Sequence, residues 1–296
     1  MNQAKQSVRF VMAALFGLGL SMMGSTSEAA VLATDSFLVG SNSTAGQYTI
    51  GNIGGQGPTV PGFTGNWSSG SVSVTATGLS RAGATVSGTT QGGAITSTGT
   101  NARVFRNFTP TTETTTGATT GASFVGTRYL SFLAQFTGTA TNYRAVELFN
   151  GGTNEGDHRK LQVGYSSTDF GTASANFGMR VNNSSTSRAL SNVAFNEDVN
   201  LFVLKFDMSA DNNADTVSLF INPTSDSAAA AAIVSGVNFG GFDRFAVGRF
   251  SSNAIAVDEI RLGETFADVT AVPEPTAIAM LCLVGLGALA RRRQNA

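Results

Sequence analysis

The chain has 296 residues, of which 12% are charged and 42% hydrophobic, so excess charge does not keep it unfolded and a sizeable core can be buried. Between Ala30 and Pro275, 13 Lys and Arg stand against 18 Asp and Glu, a balance of −5 that lacks the basic footprint a nucleic-acid partner needs. The only cysteine is Cys282, which excludes an intrachain disulfide, a staple that a domain of more than about 200 residues does not need.

At the N-terminus Lys5 and Arg9 precede the apolar "FVMAALFGLGLSMMG", and the small-residue stretch "STSEAA" follows. A positive flank, an apolar run and a small-residue cleavage site are the parts of a secretory signal peptide, here residues 1–29. Cleavage after Ala29 places Ser27 and Ala29 at the two small positions; cleavage after Ala33 is the alternative. Export is expected, with a signal peptidase as the first partner.

The rest of the chain up to residue 271 has no fixed-period repeat and no charge run or apolar stretch marking a boundary, so a single domain is expected over residues 30–271. Near its start, "GFTGNWSSGS" holds Phe63 and the single tryptophan, Trp67. An exposed Trp67 would be a stacking platform for a sugar ring, and a buried one a core plug for an N-terminal strand; the second is the plainer expectation.

Further on, alternation marks half-buried strands. "KLQVGY" puts Leu161, Val163 and Tyr165 on one face, "NFGMRV" does so with Phe177, Met179 and Val181, and "TVSLFI" with Val217, Leu219 and Ile221. "RYLSFLAQF", "LFVLKFDM" and "DRFAVGRF" are richer in apolar residues and read as central strands covered on both sides. In "AIAVDEIRLGE" the apolar phase shifts between Val257 and Ile260, which predicts a bulge near Asp258. Gly, Asn, Asp and Ser fill the links. The exception is "SDSAAAAAIVSG", Ser225 to Gly236, whose alanines favour a short helix capped by Asp226 or Ser227. About ten strands and at most one short helix define an all-β chain, a two-sheet β-sandwich.

Candidate chemistry is sparse in this segment. A glycosidase needs two carboxylates about 5 to 9.5 Å apart, and the nearest approach is Asp258, Glu259 and Glu264 in "DEIRLGE", where Asp258 and Glu259 should face opposite ways and Glu264 lies past Gly263. Glu147 in "AVELF" stands alone. His158, the only histidine, sits in the loop-like "NEGDHRK" with no thiol near it and no Gly-x-Ser-x-Gly turn elsewhere, so neither a Ser-His-Asp hydrolase nor zinc is indicated. In "DNNAD", Asp211, Asn213 and Asp215 begin as a Ca²⁺ loop does, but Thr216 and Asn222 stand where an EF-hand needs Gly and a bidentate Glu. A polar hairpin turn is expected there, with Ca²⁺ as the one cofactor the pattern would suit. No catalytic or metal residue is assigned, and the protein is expected not to be an enzyme.

The last stretch is different in kind. Pro273, Glu274 and Pro275 abut an apolar run from Thr276 to Ala290, and Arg291, Arg292 and Arg293 follow. As a helix the run covers roughly 22 Å at about 1.5 Å per residue, short against a hydrocarbon core of about 30 Å. The arginines are the flank that stays in the cytoplasm once the middle of the chain has been exported, and two prolines in three residues keep the backbone before the run extended. This constellation, residues 272–296, resembles the PEP-CTERM sorting signal of Gram-negative bacteria. The resemblance implies an exosortase as partner, a transient anchor in the inner membrane, and delivery to the cell surface or the exopolysaccharide matrix.

A looser resemblance covers the middle. "LFVLKFDMSADNNADTVSLFINPTSD" and "FDRFAVGRFSSNAIAVDEIRLGETFADVT" are similar to the C-terminal half of concanavalin A-like (laminin G-like) jelly-roll domains, with "SFLAQF" and "RAVELFNGG" as earlier strands. The resemblance implies a jelly roll, which the two ends read above would flank with an N-terminal signal helix and a C-terminal transmembrane helix. Two classes of function follow, a structural or polysaccharide-binding surface module, and a secreted carbohydrate-active enzyme of jelly-roll fold; the first is the expectation.

Overall fold

The computed structural model describes residues 31–40, 46–81, 93–97, 102–109, 123–138, 143–166, 169–170, 175–211, 213–249 and 254–270. The expected signal peptide, the Pro273–Pro275 motif, the 276–290 helix and Arg291–Arg293 lie outside them. Contacts divide the chain into Met1–Ala30 and Val31–Ala296, and the description below concerns the second unit.

Its strands are β1 (Val31–Asp35), β2 (Gly51–Asn52), β3 (Phe63–Thr64), β4 (Val72–Val74), β5 (Ile95–Ser97), β6 (Arg103–Phe108), β7 (Gly126–Thr137), β8 (Arg144–Phe149), β9 (Arg159–Tyr165), β10 (Asn176–Val181), β11 (Arg188–Ala194), β12 (Val199–Met208), β13 (Asp215–Ile221), β14 (Ala232–Val237), β15 (Arg244–Arg249) and β16 (Ala254–Gly263). Among the described residues two single-turn helices accompany them, α1 (Glu155–His158) and α2 (Phe266–Thr270). One sheet runs β14-β13-β12-β7-β16-β5-β4-β2, with β1 also on β16; the other runs β11-β10-β9-β8-β15-β6-β3. The strand pairs of both sheets are antiparallel. The fold is thus an all-β sandwich of two antiparallel sheets, as the alternation predicts. None of the described helices is long and apolar enough to cross a membrane.

The alternating residues do what period two requires. Leu161, Val163, Phe177, Met179, Val181, Val217 and Leu219 all enter the main core between the sheets. In β7 and β12 the second face is also covered: Phe132, Phe202 and Leu204 point inward, while Leu133, Leu201 and Val203 join Phe220 and Val269 in a smaller apolar cluster on the outside of the nine-stranded sheet. Helix α2 provides the cover, and a reciprocal cap fixes it: the Asp268 carboxylate accepts from the amides of Glu264 (2.9 Å) and Thr265 (2.7 Å), and the Thr265 hydroxyl accepts from the Asp268 amide (3.2 Å).

The predicted bulge is present. β16 loses register against β7 between Asp258 and Arg261, and Glu259 adopts φ 51°. The break lets one edge of β16 serve two partners, β5 at Ala256–Val257 and β1 at Ile260–Gly263.

The expected alanine helix is a correction. Residues Ser225–Ala228 form a turn, with the Ala228 amide bonded to the Ser225 carbonyl, and Ala232–Val237 is an edge strand paired with β13. Alanine's helix preference is small beside what this edge offers. Pairing satisfies backbone groups along β13, and period two buries Ala232 and Val234 in the core while Ile233 stays outside.

Candidate functional site

Trp67 is a core residue. It is 1% exposed, and its indole N–H donates to the Tyr48 hydroxyl (3.1 Å). That hydroxyl donates to Asp35 (2.5 Å). Arg106 reaches across from the other sheet to Asp35 (2.8 Å), to Tyr48 Oη and to the Pro58 carbonyl (2.6 Å). Burial pushes the Asp35 carboxyl above its ordinary value despite the Arg106 charge. Phe63 is likewise inside, stacked on Phe108 with centroids 4.8 Å apart. Neither ring offers a face to a sugar.

The "DNNAD" segment is a turn. Asn213 takes the left-handed backbone, φ 64°, and the buried Asp215 carboxylate accepts amides from Ser209 (2.8 Å), Phe239 (2.7 Å) and Gly240 (3.1 Å). Asp211 is exposed. Among the described residues no group of three or more His, Cys, Asp or Glu could hold a metal ion. His158 closes α1, half-buried rather than solvated, with Nδ1 3.0 Å from the Asn150 carbonyl oxygen.

At the bulge, Asp258 and Glu259 are both buried. Asp258 accepts from the Leu79 amide and from the Glu259 amide, both at 2.8 Å. Burial, and then the neighbouring Glu259 charge, push its carboxyl well above the ordinary 3.8. Glu259 turns to Arg261 (3.1 Å) and Ser36 (3.3 Å), while Glu264 lies exposed beside Arg128 (3.4 Å).

Glu147 does not stand alone. Val146 and Leu148 fill the core, so Glu147 projects from the outer face of the seven-stranded sheet, where it is nevertheless fully buried. Arg103 of β6 pairs with it at 2.5 Å and Arg159 of β9 at 3.0 Å, and the Tyr143 hydroxyl donates to it at 2.6 Å. Both arginines also hold Glu155 of α1, Arg159 at 2.9 Å. Burial would raise the Glu155 carboxyl, but the arginines bring it below its usual value. Burial opposes the Arg103 charge, and Glu147 outweighs it. Gly248 makes room for this cluster, since a Cβ there would lie 2.5 Å from Glu147 Oε2. The arrangement is a closed ion-pair network of two arginines and two carboxylates. Sequence alone did not reveal its members, because Arg103, Glu147 and Arg159 meet only through strand pairing.

A groove of about 320 Å³ lies on the outer face of the nine-stranded sheet. Ala254 and Ala256 form its floor, and Thr75, Thr96, Gln135 and Thr137 flank it. Register explains the shape: Ala256 sits between Thr96 and Gln135, and Ala254 opposite Thr137. Small floor residues between threonine and glutamine side chains make a shallow trough, its surface more apolar than polar, at the low end of ligand-site volumes.

Residues 271–294 match the model of the PEP-CTERM protein-sorting motif. The chain therefore carries this motif at its C-terminal end, and the motif implies export through an exosortase pathway. No curated protein sequence matches the chain. Solved structures similar in fold include endo-β-1,4-glucuronan lyase from the fungus Trichoderma reesei, with 12% identity, 68% of this chain and 89% of that one covered, and a TM-score of 0.40. The T. cruzi calreticulin globular domain gives 11%, 77%, 91% and 0.41, and the VIP36 exoplasmic/lumenal domain in metal-free form gives 10%, 69%, 87% and 0.42. At these identities and scores the likeness carries no argument about a ligand or a reaction.

Proposed function

We propose that this is a non-enzymatic surface or exopolysaccharide-associated protein of a Gram-negative bacterium, held in the inner membrane by residues 276–290 and sorted by an exosortase. Its concanavalin A-like jelly-roll domain is structural or glycan-binding. The observation that carries the reading is the match of residues 271–294 to the sorting motif. The closed Arg103–Glu147–Arg159–Glu155 network supports a non-catalytic domain, because both carboxylates are neutralised by the same two arginines. The groove beside β16 supports a glycan contact, since Thr96 and Thr137 line it with hydroxyls that have no protein partner among the described residues.

Replacing Pro273, Glu274 and Pro275 together by alanine in a host with an exosortase should leave the precursor unprocessed and in the membrane fraction. Processing and surface yield equal to those of the unaltered chain would count against the sorting reading.

A further inference from the structure

On the outer face of the seven-stranded sheet one pair of arginines holds two carboxylates, and the two are held very differently. Glu147 lies on β8 between β15 and β9, fully buried, with the Tyr143 hydroxyl and both arginines on it. The Glu155 side chain is 40% exposed. Its carboxylate bridges the pair, with Oε1 on Arg103 Nη1 and Oε2 on Arg159 Nη1 at 2.9 Å, so each guanidinium takes one oxygen.

The sheet is shaped around the arginines. Strict alternation would send Arg159 into the core with Leu161 and Val163. A bulge intervenes: Leu148 pairs with Leu161 but Phe149 with Arg159, which turns Arg159 outward to Glu147, as bulges re-aim side chains. Arg103 crosses its register partner Gly248, where a Cβ would lie 3.1 Å from the arginine Nε. Glu155, by contrast, comes from α1, a four-residue helix without a buried residue. One helical bond, from the His158 amide to the Asn154 carbonyl, and the Asn154 cap on the Gly156 amide hold the turn, and Gly151, with φ 73°, and Gly152 precede it. A part-exposed ion pair adds little to such a segment, which belongs to the parts of a fold that open first. With α1 lifted, the two arginines face Glu147 alone. One positive charge is then in excess at a largely buried place, and a carboxylate is the group that restores the balance.

We propose that Arg103 and Arg159 form a seat for an external carboxylate, which Glu155 fills as an internal substitute until the ligand displaces it. Resting on the glycan reading above, the ligand is a uronate residue of an acidic polysaccharide, bound on the sheet opposite to the one that carries the groove. The surroundings favour a sugar over a peptide. Asn183 accepts from Arg159 beside the seat (2.5 Å), and the turns at Thr153–Asn154 and Asn182–Thr186 offer amides and hydroxyls but no apolar side chain.

The test titrates the exported protein with sodium glucuronate, ionic strength being held constant with sodium chloride and glucose serving as the neutral blank. The melting temperature should climb with glucuronate and not with glucose, as ligand linkage requires. Hydrogen exchange at the Gly156 and His158 amides should speed up at the same time, because the ligand expels α1. Global stabilisation with loosening of this one turn is a pair of signs that a merely structural Glu155 does not give. Glu155→Ala removes the internal competitor and should bind glucuronate about tenfold more tightly, corresponding to a wild-type seat open about a tenth of the time. Arg103→Lys keeps a positive charge beside Glu147 but lacks the second donor group, and should lose the response. Arg128→Gln, which removes an arginine of the other sheet beside Glu264, should respond as the wild type does. No rise in wild type, a rise that survives in Arg103→Lys, unchanged exchange in α1 at saturating glucuronate, or equal affinity in wild type and Glu155→Ala would each overturn the seat. Should Arg103→Lys not fold, the exchange measurement and Glu155→Ala decide by themselves. Immobilised alginate should retain the wild type and neutral dextran should not. Retention on neither polymer with the glucuronate response intact removes the polysaccharide carrier and leaves the seat. Retention on both, indifferent to Arg103→Lys, removes the seat and leaves a glycan-binding domain.

Discussion

The single tryptophan illustrates how much of a residue's role depends on partners far along the chain. Trp67, Tyr48, Asp35 and Arg106 form one buried network joining both sheets, and Tyr48 is the member that touches all the others. Tyr48→Phe leaves Asp35, Arg106 and Trp67 each short of a partner and should cost about 2–3 kcal/mol; urea unfolding followed by the Trp67 emission measures it. A change within a few tenths of a kcal/mol would mean that the hydroxyl carries no net stability. Asp258 gives a pH signature. Its pKa is raised in the folded state by burial and by Glu259, so the native state holds that proton more firmly than the unfolded chain does. The contribution is fully present below the ordinary 3.8 and disappears as pH rises through the higher folded value. Asp258→Asn should therefore gain in melting temperature relative to wild type as pH rises from acid toward neutral, and a difference that stays flat with pH would refute the assignment. From sequence, the choice of Trp67 as core was readable from residue type alone. The hydroxyl, carboxylate and guanidinium that receive it were not, because they lie 13 to 71 residues apart in pairs that only the closed sandwich brings together.

Among the elements, long alternating strands were legible and short ones were not. β9, β10 and β13 declare themselves through three inward residues each, and the bulge at Asp258 through one break in phase. β2 to β5 are two or three residues long, too brief for any period to show, and their stability comes from neighbours already in place. Local preference misled at Ala228–Ala232, where the edge of β13 decided the outcome. α2 was missed for the opposite reason: five residues cannot nucleate alone, but Thr265 and Asp268 form the reciprocal cap and Val269 has a cluster to enter. Asp268→Ala should cost about 1 kcal/mol and raise hydrogen exchange and proteolysis at Glu264–Thr270 without altering protection in β7 or β12. Equal loosening of the whole nine-stranded sheet would show that α2 is part of the global fold rather than a separately opening cover.

At the scale of the molecule, the two-sheet architecture was legible in the sequence, while the order of strands in the sheets was not. The chain passes repeatedly between sheets, so that β7 lies between β12 and β16 and β15 between β8 and β6, and nothing in a single sequence states which non-consecutive strands pair. The destination was the reverse case. A C-terminal segment of about 25 residues names its route in linear sequence, because an address is read from an extended chain and needs no fold to be complete. The two meet at α2. Thr270, its last residue, is buried, and only Ala271 and Val272 separate it from Pro273, a reach of about 11 Å over three Cα–Cα steps. On the sorting route proposed here, the folded sandwich is therefore joined to the motif by two residues only. On that route an enzyme acting at the motif would have a folded helix three residues to its N-terminal side. Fraying of one helical turn would give it extra chain to grip, so the lifetime of the membrane-bound form becomes a property of the Thr265–Asp268 cap as well as of the motif.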